Sequence, residues 1–108
     1  MELEQMTVRA GGKLNFTVQR ADVSAVSATF IMQKDLITID STIVYDSEGI
    51  AAFVIESPDT DVLGEYKYQI NENFATGSPD IYPNFDECDG DCDLPIVVIC
   101  ESLTVSGS

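Results

Sequence analysis

The sequence predicts an all-β domain, a sandwich of about seven short antiparallel strands, and three observations carry that expectation. Apolar and polar residues alternate at a period of two through most of the chain, and no window shows the three-and-four spacing of a helical stripe. Clusters of Gly, Pro, Asp and Ser separate the alternating runs at short intervals, as turns between strands do. The chain has 108 residues, 44% of them hydrophobic, which suits one core and leaves no room for two. A single domain over residues 1–108 is expected, and short strands between regular turns favour a sandwich over a closed barrel.

Glu4 to Arg9 reads as the opening strand. Leu14, Phe16 and Val18 then alternate with Asn15, Thr17 and Gln19, placing the apolar set on one face of a half-buried strand. Val26, Ala28, Phe30 and Met32 repeat the pattern against Ser27, Thr29, Ile31 and Gln33, and Ile37, Ile39, Ile43 and Tyr45 continue it. These runs are rich in β-branched and aromatic residues, which suit a pleated surface. Asp46-Ser47-Glu48-Gly49 is a turn signal, after which Ala51, Phe53 and Ile55 form the next strand. That strand ends at Ser57-Pro58-Asp59-Thr60, because Pro58 has no N–H to give a ladder. Glu65 to Asn71 follows with Tyr66, Tyr68 and Ile70 on one face. Pro95 to Val105 closes the chain, with Ile96, Val98, Cys100, Ser102 and Thr104 on one side. Between the last two strands, roughly residues 72–94 read as one irregular acidic loop containing cysteines.

Charge excludes whole classes of function. Nineteen Asp and Glu stand against five Lys and Arg, with no His, so the formal net charge at pH 7 is −14. Binding nucleic acid takes clustered cations, whereas Arg9, Lys13, Arg20, Lys34 and Lys67 are scattered singly, so no nucleic-acid partner is expected. The same charge repels an anionic membrane and keeps a crowded protein soluble. The longest apolar stretches, such as Ile50 to Ile55, fall far short of the roughly 20 residues a spanning helix needs, so no membrane association is expected. The first residues, Met1-Glu2-Leu3-Glu4-Gln5, carry acids where a secretory signal has basic residues, so synthesis in a cytosol without export by that route is expected.

The irregular region holds the most particular sequence. Asp86-Glu87-Cys88-Asp89-Gly90-Asp91-Cys92-Asp93 places five acids in eight residues, and no cation follows Lys67. Calcium is one candidate ligand, since several carboxylates close together supply the six to eight oxygens it takes; Asp86, Asp89, Asp91 and Asp93 are the candidate ligands. The alternative is a solvated acidic loop that binds no cofactor. Asp89, Asp91 and Asp93 have the one, three, five spacing of an EF-hand loop, but Leu94 stands where such a loop needs Gly and Cys100 where it needs Glu. Three thiols without a His fall one ligand short of a structural zinc site, which an Asp or a neighbouring chain would have to complete. Cys88 and Cys92 are a candidate disulfide across a tight loop, with Cys100 a competing partner or a small buried apolar residue. Tyr82 and Phe85 are the candidate binding aromatics for a sugar, or rings that pack the loop onto the sandwich. Catalysis has no foothold: there is no His base, no nucleophile set beside one and no phosphate-cradling glycine loop, so an enzyme is not expected.

Thr60-Asp61-Val62-Leu63-Gly64-Glu65-Tyr66-Lys67-Tyr68 resembles the turn and strand before the C-terminal part of immunoglobulin-like domains, where an Asp, a small residue and a Tyr form a corner. Asp61, Gly64 and Tyr66 take the matching positions, with one more residue between Asp61 and Tyr66 than antibodies have. Tyr68 stands where an antibody domain has its second core cysteine, so the core disulfide is absent. Over roughly residues 7–70 the pattern is similar to small immunoglobulin-like structural proteins of tailed bacteriophages, including the N-terminal type of baseplate upper proteins. It runs through Val8-Arg9-Ala10-Gly11-Gly12, then Arg20 to Phe30, then Ala52-Phe53-Val54-Ile55 and Gly64 to Tyr68.

The resemblance implies a virion structural protein, made in the host cytoplasm and carried on the capsid, neck, tail or baseplate. Its expected partners are other virion proteins and further copies of itself. The competing expectation is a carbohydrate- or calcium-dependent adhesive module.

Overall fold

The computed structural model describes residues 3–82 and 94–101, and all regular structure in them is strand. In chain order these are β1 (Met6–Arg9), β2 (Leu14–Gln19), β3 (Ala25–Lys34), β4 (Ile37–Val44), β5 (Ile50–Ile55), β6 (Gly64–Phe74), β7 (Asp80–Tyr82) and β8 (Ile96–Cys100). Two sheets form: β1-β8-β6-β3-β4 in that spatial order, with β7 also paired to β6, and β2 with β5. The chain is therefore all-β, and the two sheets close on one core, as a sandwich requires.

β2 shows why the alternation is readable. It pairs with β5 from Leu14↔Ile55 to Gln19↔Ile50, so Leu14, Val18, Ala51, Phe53 and Ile55 point inward and are buried while their neighbours are wet. Across the core lie Ala28, Phe30 and Met32 of β3, Tyr66, Tyr68 and Ile70 of β6, and Val97 and Ile99 of β8. Phe30 sits at the centre, its ring 5.0 Å from that of Phe16, 6.1 Å from that of Phe53 and 5.5 Å from that of Tyr68. The turn at Asp46 is built as its residue types demand: the Asp46 carboxylate accepts the N–H groups of Glu48 and Ile50, and Gly49 takes a φ of 77°.

The structure departs from the sequence reading at five places. First, β1 runs parallel to β8, from Met6↔Val97 to Arg9↔Cys100, so not every pair is antiparallel. Second, Val26 is 45% exposed, because the β3–β6 register shifts between Ala25 and Ser27 and this bulge turns Val26 outward while Ala25 and Ser27 are buried. Third, the buried side of β8 is Val97 and Ile99, which leaves Ile96, Val98 and Cys100 on the less buried side. Cys100 is accordingly half-buried rather than a core residue. Fourth, β6 runs on to Phe74, so Glu72 belongs to a strand and not to the irregular loop. Fifth, β7 forms inside the region read as irregular. β8 covers only Gly64 to Lys67 of that edge of β6, and β7 pairs with the remainder at Ile70, Asn71 and Glu72.

Candidate functional surface

Of the candidate metal-ligating, disulfide and sugar-binding residues, only Tyr82 and Cys100 fall among the described ones. Asp86, Cys88, Asp89, Asp91, Cys92 and Asp93, together with Phe85, lie outside them. Tyr82 sits on β7 opposite Ile70 and is only 8% exposed, so its ring packs onto the sandwich and offers no platform for a sugar. Cys100 is a free thiol. Among the described residues no three or more His, Cys, Asp or Glu side chains come together in a way that could hold a metal. No helix among them is long and apolar enough to cross a membrane.

The sandwich carries a polar feature that sequence reasoning missed. Glu72 is 0% exposed, and its carboxylate is surrounded by donors. One oxygen accepts the Ala21 N–H at 2.9 Å and the Tyr45 hydroxyl at 3.0 Å; the other accepts the Asp22 N–H at 3.0 Å. A carboxylate is tolerated out of water when its lone pairs are met in this way. The arrangement ties the β2–β3 loop and the residue after β4 to the end of β6, and so fixes one end of the sandwich. Burial, then the hydrogen bond to Glu72 and its charge, push the Tyr45 phenol well above its ordinary pKa.

At the other end of β6, the Tyr66 hydroxyl donates to the Val62 carbonyl at 2.9 Å. The bond pins the start of the strand to the chain just before it. Two residues on, the Tyr68 hydroxyl donates to the Glu4 carbonyl and holds the N-terminal segment against the core. Burial raises the Tyr66 phenol, and burial chiefly pushes Tyr68 up to about 12.

These raised values have a sign that can be checked. Below pH 10 the phenols are neutral in folded and unfolded chains alike; between 10 and about 12 the unfolded chain loses the Tyr68 proton while the folded chain keeps it. The folded state then binds more protons, so stability falls as pH rises through that window. Titration followed by phenolate absorbance and circular dichroism is expected to show tyrosine ionisation and loss of β signal in one alkaline step. Ionisation near pH 10 with the fold intact would contradict it.

The outer face of the large sheet is lined by hydroxyls and amides. Thr29 and Thr42 share a hydrogen bond at 2.8 Å, the Asn73 amide donates to Ser27 and Thr29, Gln69 donates to Asn71, and Gln33 donates to Thr38. A shallow groove of about 300 Å³ crosses this face between Ile31, Gln33, Lys67, Gln69 and Leu94. Among the described residues the sheet ends at β4, with no strand on its far edge.

Compared with known proteins, the chain matches no family model, no curated protein and no solved structure.

Proposed function

We propose that the chain is a non-enzymatic structural subunit of a tailed-bacteriophage virion, a capsid decoration or a neck or tail accessory protein, that acts by binding neighbouring virion proteins. The observation that carries the reading is the Tyr66–Val62 bond at the start of β6. It supports the reading because immunoglobulin-like domains carry a tyrosine near the start of the corresponding strand whose hydroxyl bonds back to the main chain a few residues upstream. The strand pairing supports the same fold: strand two with strand five in one sheet, and β3, β6 and β8 adjacent in the other, as immunoglobulin sandwiches pair theirs. The phage members of that group are assembly proteins, and a strongly acidic sandwich with an open strand edge suits such work. The adhesive alternative loses Tyr82 as a sugar platform, since its ring is buried.

The test is mass spectrometry of density-gradient-purified particles of the phage that encodes the chain, followed by a particle map. The chain is expected at a fixed copy number, in contact with a capsid, neck, tail or baseplate protein. A chain recovered only from the lysate supernatant would overturn the proposal.

A further inference from the structure

We propose that residues 3–9 form a strap that opens and closes as one unit, hinged at Gly11 and Gly12 and latched by Tyr68 on Glu4, while the rest of the sandwich stays folded. Opening uncovers the β1-facing side of β8 and the apolar floor beneath the strap. The inference goes beyond the virion reading and does not rest on it.

The hinge is built around Thr60. That residue is fully buried; its carbonyl accepts the Gly11 N–H at 3.0 Å, and its hydroxyl donates to the Gly12 carbonyl at 2.8 Å. The two residues are thereby fixed to the segment between β5 and β6. The Gly12 N–H closes a tight turn onto the Arg9 carbonyl at 2.9 Å, and Gly11 takes a φ of 79°, in the left-handed region that favours glycine. A pivot anchored to the core at glycine lets the chain before it swing without moving the chain after it.

The strap itself is held by few contacts. β1 has four residues and, among the described residues, pairs only with β8, in the parallel ladder that is slightly the less stable per residue. Val8 is the strap's one buried side chain, and Leu3 and Met6 are partly buried against the core. Toward its free end an open groove of about 270 Å³ lies between Leu3, Glu4 and Met6 of the strap and Phe16, Val18 and Ile70 of the two sheets. Sparse apolar contact of this kind marks the segments that open most readily.

The free end is held by the latch, in which the Tyr68 hydroxyl donates to the Glu4 carbonyl. The Tyr68 ring is buried and lies 5.5 Å from that of Phe30, so the donor stands on the core and the acceptor on the movable segment. Near the hinge, the Arg9 guanidinium adds an exposed bond to the Glu101 carbonyl at 2.9 Å.

The register of β8 separates opening of the strap from unfolding of the sandwich. The Ala10 N–H donates to the Cys100 carbonyl at 2.8 Å, and the same parity turns the Val98 and Cys100 N–H groups toward β1, onto the carbonyls of Met6 and Val8. The N–H groups of Val97 and Ile99 point the other way, to β6. Neighbouring amides of one strand therefore report two different events.

The test is hydrogen–deuterium exchange of the full chain, read amide by amide by NMR in water and in low concentrations of urea. Val98 is expected to exchange at least about a hundredfold faster than Val97 and with little dependence on urea, because opening the strap exposes little surface. Glu72→Ala, at the far end of the sandwich, is expected to speed Val97 and leave Val98 unchanged. Tyr68→Phe removes the latch and keeps the ring, and is expected to speed Val98 about fivefold. Equal rates and equal urea dependence at Val97 and Val98 in the unmodified chain overturn the strap, whatever the variants do. A Val98 rate unmoved by Tyr68→Phe overturns the latch.

Discussion

Glu72→Ala is expected to cost about 3 kcal/mol of folding stability, a fall of roughly 10–15 °C in melting temperature for a domain of this size. The substitution leaves the N–H groups of Ala21 and Asp22 and the hydroxyl of Tyr45 without their acceptor. Hydrogen bonds to a charged group are worth about 1.5–3 kcal/mol each, but part of that sum is offset because burying the carboxylate was itself costly. Glu72→Gln is not conservative here. Its carbonyl can serve Ala21 and Tyr45 only by turning the amide NH₂ toward the Asp22 N–H, donor against donor, so a loss of about 1–2 kcal/mol is expected. Tyr45→Phe removes one donor and is expected to cost about 1 kcal/mol in the parent chain and close to nothing when Glu72 is already alanine. Chemical denaturation of the four variants measures this cycle. A Glu72→Ala protein within about 0.5 kcal/mol of the parent would show that water meets those donors as well as the carboxylate does.

That carboxylate also marks where sequence reasoning stops short. Tyr66, Tyr68 and Ile70 alternate on the buried parity of β6, and the next residue of that parity is Glu72. An acid on a core position was the available signal. It was obscured because Glu72 also heads a run of acids, and because two of its three partners are main-chain N–H groups about fifty residues away, which no side-chain pattern displays. β2 and β5 were legible because each has one wet face and one dry face, so the pattern states the register outright. β8 was not, because Ile96-Val97-Val98-Ile99-Cys100 is apolar at both parities. Its inward side is decided by its neighbours, Tyr66 opposite Val97 and Val8 beside Ile99. β7 is three residues long, too short for any period to show, and exists because β6 outruns β8. For the candidate site, the aromatic reading at Tyr82 failed on burial. The open edge at β4 is a property of strand order, which alternation alone does not encode.

Phe30→Ala and Val26→Ala occupy equivalent positions in the alternating run of β3, yet their expected effects differ by nearly the full range of core substitutions. Phe30 is fully buried against the rings of Phe16, Phe53 and Tyr68, which come from β2, β5 and β6. These rings pack between the two sheets around Phe30. Truncating Phe30 removes the common member of those ring pairs and opens a cavity between the sheets, at a cost of about 3–5 kcal/mol. Against a total stability of about 5–15 kcal/mol for a small domain, that loss leaves a marginal fold. Val26, turned outward by the bulge, has little burial to lose, and its truncation is expected to stay within about 0.5 kcal/mol of the parent. Matched denaturation curves of the two variants read the bulge directly. Without it Val26 would share the core parity of Phe30, and Val26→Ala would cost about 1–2 kcal/mol as a buried valine does. Such a loss would place Val26 opposite Phe74 with no bulge, while the pairing of β3 with β4 from Ser27 onward would stand unchanged.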